Sequence, residues 1–95
     1  MNQLQLQAEV DQMGTLRYTP AGVPALDMVL KHASQVQQAG QVRQVTLELR
    51  AQAFGTLAET LAHRPLGVVC GFNGFLTNFR NGKGVVFHIQ DFNPI

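Results

Sequence analysis

Arg17 stands beside Tyr18, Phe79 stands beside Arg80, and Lys83 follows three residues on. A cation next to a ring offers a charge that can neutralise a phosphate and a flat face on which a base can stack. Lys31, Arg43 and Arg50 add three more cations, so six of the seven basic side chains belong to this set. Each position also has a plainer reading. Surface Arg and Lys are mostly solvated charge. Tyr18 suits the capping of a barrel end equally well, and Phe79 lies close in sequence to Phe72 and Phe75, which read as core.

Other chemistries lack their parts. His32, His63 and His88 stand far apart. None has beside it the nucleophile or orienting carboxylate that a general base needs. There is no Gly-rich phosphate loop, paired-carboxylate motif or Cys-X-X-Cys. No catalytic residue, cofactor or metal site is expected. Cys70 lies in the apolar run Val68-Val69-Cys70-Gly71-Phe72 and reads as a small buried hydrophobe. One cysteine permits no internal disulfide and fits a reducing, cytoplasmic compartment.

The elements that must position these residues share one short chain. Ninety-five residues make a single domain, 1–95. With 45% hydrophobic and 14% charged residues the chain can collapse, and it is no disordered polyelectrolyte. A net charge of +1 excludes a histone-like polycation and an acidic tail, but not a local basic patch. Residues 1–10 alternate polar and apolar types, without the basic start and apolar run of a signal peptide. No segment has the roughly 18–20 apolar residues of a membrane span.

Gln3 to Val10 alternates strictly, with Leu4, Leu6, Ala8 and Val10 on one face, which predicts a half-buried first strand. Leu16 to Gly22 reads as a loop with a turn at Thr19-Pro20-Ala21-Gly22. Pro24 to His32 is the second strand, with Leu26, Met28 and Leu30 on one face. Gln-rich Ser34 to Gln41 reads as a solvated connection, the long mobile tip of a hairpin. The third strand runs from about Gln41 to Ala53. Phe54, Leu57, Ala58 and Leu61 form one stripe of a short helix that Pro65 ends. Such a helix is marginal alone and suits a plug over one end of a barrel.

Leu66 to Arg80 reads as a long fourth strand whose Gly67, Gly71 and Gly74 imply sharp bending. Asn81-Gly82 signals a hairpin into a fifth strand, Gly84 to Phe92. The expected class is all-β: a five-stranded OB-fold Greek-key barrel with one short helix between strands three and four. That fold binds nucleic acid across its second and third strands, between the loops joining strands one to two and four to five. Arg17, Tyr18, Lys31, Arg43, Arg50, Phe79, Arg80 and Lys83 all map there.

The chain is similar to the primosomal replication protein N (PriB) family, itself related to the single-stranded DNA-binding proteins (SSB). The carrying residues are Asn2 to Val10, Leu16 through Pro24 and Val29 through Ser34. Ala39-Gly40, Arg43-Gln44, Gly71-Phe72 and Asn81-Gly82 complete the set. The resemblance implies a homodimeric OB-fold that binds single-stranded DNA and acts beside the PriA helicase and other primosome proteins in replication restart. An amide-rich first strand, with Gln3, Gln5 and Gln7 on its polar face, is suited to pairing with its twin. There are two departures. The family's aromatic positions around the second hairpin correspond to Gln41 and Thr46, and Ala8 replaces a frequent glycine. Lost stacking platforms favour an alternative, a protein-interaction adaptor with weak or vestigial DNA binding. A bulk SSB would carry a long Gly/Pro-rich tail with an acidic tip, whereas this sequence stops at Phe92-Asn93-Pro94-Ile95. Asp11, Glu59 and Asp91 are expected away from the groove, while Asp27 and Glu48 lie on its strands.

Overall fold

Alternation in the first strand appears as expected in the computed structural model, which describes all 95 residues. In β1 (Leu4–Met13), Ala8 and Val10 are buried and Leu4 and Leu6 are half-buried against the core. β1 pairs antiparallel with β5 (Val69–Asn78) along Leu4–Glu9 and with β3 (Pro24–Gln38) along Glu9–Met13. β3 pairs with β4 (Gln41–Phe54), β4 runs parallel to β6 (Val85–Pro94), and β6 returns to β5. These five strands close a ring, as an OB barrel requires. A sixth, two-residue strand, β2 (Arg17–Tyr18), lies in the expected first loop and pairs with Ala25 and Pro24.

The interior is built from the apolar faces of all five barrel strands. Leu26, Leu30, Phe72 and Phe87 are fully buried. α1 (Thr56–Ala62) closes the barrel with buried Ala58 and Leu61. Burying one Leu or Phe contributes roughly 1.5–3 kcal/mol, so so short a helix is held by packing rather than by its own propensity. Phe54 belongs to the end of β4, not to the helix, because Gly55 turns the chain at φ 74° before the first helical residue.

The Gln-rich connection is a strand. β3 continues through Ser34–Gln38 and pairs residue by residue with β4 up to Gln38↔Gln41. The turn is only Ala39-Gly40, with φ 53° and 78°, the left-handed pair that a two-residue hairpin needs. Both faces of this segment are largely polar and exposed, so it shows no apolar alternation and reads as loop in the sequence. Beyond Lys31, β3 pairs with β4 alone, and at about 3.4 Å per residue the hairpin projects some 25 Å as an arm.

β5 begins at Val69, after a turn at Gly67, rather than at Leu66. It ends at Asn78, so Phe79 and Arg80 belong to the loop before β6. Of the three glycines, Gly74 has the firmest reason. It sits at a register shift against β6, and a Cβ there would collide with the His88 carbonyl oxygen. The bulge bends β5 so that the barrel can close.

Candidate nucleic-acid interface

The loop between β5 and β6 builds the centre of the site. The Phe79 N–H donates to the Gly84 carbonyl at 3.2 Å, and the Gly82 N–H donates to the Phe79 carbonyl at 2.8 Å. Asn81 Oδ1 accepts from the Lys83 N–H at 2.9 Å. Positive φ at Gly82 and Gly84 lets six loop residues fold back on themselves. The half-buried Phe79 ring lies beside Gly84, where a Cβ would be 3.7 Å away. This loop is longer than the tight Asn-Gly hairpin that the sequence suggests, and it carries Arg80 and Lys83 exposed at its tip.

Arg50 reaches Phe79 from β4, its guanidinium carbon 5.8 Å from the ring centroid. At that distance the cation is attracted to the ring face. Three contiguous clefts share Phe79. Arg50, Asp27 and Gly14 line one. Arg17, Tyr18 and Arg80 line the second. Arg50, Lys83 and Asn81 line the third. The structure therefore brings together Arg17, Tyr18, Arg50, Phe79, Arg80 and Lys83.

It does not bring in Lys31 and Arg43. Lys31 faces Glu9 on β1 and Glu48 on β4 in the strand register, and its Nζ lies 3.7 Å from Asp11 Oδ1. Asp11, expected elsewhere, is thus the partner of a candidate cation. Arg43 lies near the arm tip opposite Val36 and donates to Gln38 Oε1 at 2.9 Å. Gln41 and Thr46 also lie on the arm, which carries no Phe, Tyr or Trp. Arg17 donates to both carboxylate oxygens of Asp27, at 3.3 and 3.2 Å. Arg50, Arg80 and Lys83 form no ion pair.

Sequence reasoning missed a row of rings on the outer barrel wall. His88 on β6 stacks on Phe75 of β5 at 5.0 Å and on Phe54 of β4 at 5.6 Å. Phe54 and His88 line the same cleft as Tyr18 and Arg80. The alternation that puts His88 on the outer face is legible in the last strand, but its neighbours depend on the register of β5 and β4. The other histidines are engaged locally. His32 Nδ1 donates to the Gln7 carbonyl at 2.6 Å, and Nε2 lies 2.8 Å from Ser34 Oγ. His63 Nδ1 donates to the Glu59 carbonyl at 2.9 Å. Buried Cys70 lies 3.5 Å from Arg64, whose guanidinium lies over Phe92.

Comparison with known proteins gives this geometry a setting. Residues 2–91 match a family model described as another single-strand binding protein family. The replication restart protein PriB of Bordetella pertussis is 45% identical over 91 residues, which cover 95% of this chain and 85% of that protein. PriB of Neisseria meningitidis serogroup B is 41% identical over 75 residues, covering 79% of this chain and 74% of that one. The solved structure of PriB from Ralstonia solanacearum superposes with a TM-score of 0.90 at 36% identity, covering 99% of this chain and 97% of that chain. The single-stranded DNA-binding protein of Thermus aquaticus shares the fold, with a TM-score of 0.79 at 24% identity, covering all of this chain and 50% of that one.

Proposed function

The chain belongs to the single-strand binding protein family, among the PriB replication restart proteins, and from that premise we propose that it is a non-catalytic, cytoplasmic single-stranded DNA-binding protein of replication restart. The observation that carries this reading is the convergence of Arg50, Arg80 and Lys83 around Phe79. These cations form no ion pair, although Glu48 and Asp27 line clefts they share, and they sit beside rings, so they can neutralise phosphates while Phe79 or Tyr18 stacks on bases. Phosphate contact and stacking carry little base information, so sequence preference is slight.

The strand follows the three clefts around Phe79, with Arg17 at one margin. Lys31 and Arg43 lie off that path. The finer part of the proposal concerns partners. Leu4–Ala8 of β1 is paired on one side only, by β5, and the Gln7 carbonyl on its other side is taken by His32. An exposed strand edge without lysine is a template for a second copy, which makes a homodimer with two grooves. The PriA helicase and other primosome proteins are the further partners, as the family resemblance implies.

The deciding experiment is an anisotropy titration of labelled dT oligomers of increasing length at two salt concentrations. Saturable binding is expected at low salt, weakening as salt rises. Binding tightens for oligomers long enough to reach both grooves of a dimer. A folded protein that shows no saturable binding at low salt overturns the proposal and favours a protein-interaction adaptor. Light scattering after gel filtration tests the dimer against the 10.4 kDa of one chain.

A further inference from the structure

Asp27 puts a carboxylate among the cations of the candidate interface. Its carboxylate projects from the outer side of β3, opposite Gln52 of β4. It lines the cleft that holds Arg50 and Phe79, and its partner Arg17 lines the adjoining cleft with Arg80. The Asp27 carbonyl is held by the Gly14 N–H at 2.8 Å, so the residue has a fixed place. Both side chains of the Arg17–Asp27 pair are about half exposed, at 49% and 53%. An exposed pair of this kind is weak and exchangeable.

We infer that Asp27 is a built-in competitor for nucleic acid: its carboxylate occupies Arg17 in place of a backbone phosphate and holds affinity below what the cations alone would give. This inference rests on the function proposed above. Two effects act in the same direction. Arg17 must leave Asp27 before it can serve a phosphate. A fixed negative charge also repels any phosphate passing between Arg17 and Arg50. Asp11 holds Lys31 in a similar way, but Glu9 and Glu48 also face Lys31, so freeing it from one carboxylate accomplishes less.

The test is Asp27→Asn, which retains a hydrogen-bond acceptor for Arg17 and removes the charge. The dT titration should show binding about threefold to tenfold tighter at low salt. The salt slope should steepen by about 0.7, the value of one further neutralised phosphate. In the Arg17→Ala background the added substitution should give clearly less gain, because no cation is released. Unchanged or weaker binding by a folded Asp27→Asn protein overturns the inference, and weakening equal to that of Arg17→Ala makes Asp27 a positioning residue for Arg17. The proposed function fails differently: the unsubstituted protein then does not bind, and Arg80→Ala and Lys83→Ala change nothing. Circular dichroism and thermal melts establish that each variant is folded.

Discussion

Lys31 and Arg50 are diagonal neighbours on the outer side of the same strand pair, and both have Glu48 nearby, yet only Lys31 forms an ion pair. Lys31 has Glu9 and Glu48 across from it and Asp11 at 3.7 Å. Arg50 has Val29 across from it and the Phe79 ring under its guanidinium. One is a cation set among three carboxylates and paired with one of them. The other is held over a ring with its N–H groups open to a ligand. The wall made by β1, β3 and the start of β2 carries Arg17 and Lys31 against Asp11 and Asp27, with Glu9 in addition. The side built by the β5–β6 loop carries Arg80 and Lys83 with no ion pair. A basic residue therefore counts toward a phosphate track only after its cross-strand neighbours are known.

Gly74→Ala tests whether one frame holds both regions, and it should have the largest effect. Its Cβ has no room against the His88 carbonyl, and relief requires β5 to leave β6. A loss of more than about 3 kcal/mol of stability is expected in denaturant or thermal melts. A near-normal melt would mean that the bulge is not what bends the barrel.

Removing the free cations comes next. Arg80→Ala with Lys83→Ala should weaken dT binding by at least about tenfold at low salt. It should also flatten the salt slope by about 1.4, since each single-strand phosphate contact contributes about 0.7. A slope that stays unchanged would place the track elsewhere.

Phe79→Ala should cost about 1–3 kcal/mol of binding if a base stacks there, with Phe79→Tyr close to the parent. If both bind like the parent, Phe79 serves only to support Arg50 and the loop.

The sharpest version of the comparison has the smallest effects. Arg50→Ala should weaken binding severalfold, worth about 1 kcal/mol. Lys31→Ala should change it less than about twofold, because it removes a cation already paired. Equal losses from the two would abolish the distinction between the regions.

Much of the frame was legible before the structure. The alternation of Leu4, Leu6, Ala8 and Val10, and of Leu26, Met28 and Leu30, marked core faces that the barrel uses. The stripe of Ala58 and Leu61 marked the plug, although Phe54 proved to be strand because Gly55 intervenes. Half of the arm was legible: the strand beginning at about Gln41 stands as expected, but Ser34–Gln38 reads as a connection because Gln35, Gln37 and Gln38 leave no apolar face to reveal the period of a strand. Within the candidate site, six of the eight expected residues lie together, while Lys31 and Arg43 lie apart from them. Asp11 and Lys31 are twenty positions apart in sequence and meet through the β1–β3 pairing. Phe54, Phe75 and His88 come from three strands and form one stack.

The sequence by itself determined the core faces of the barrel strands, the barrel class, the family likeness and the residue types available to touch a phosphate or a base. Those follow from local periodicity and turn chemistry, which act over a few residues. Tertiary structure decided which cations are free. That depends on strand register and barrel closure, which set carboxylates of one strand against cations of another. Charge interactions between exposed groups fall off over about 10 Å of separation in space, whatever the separation along the chain.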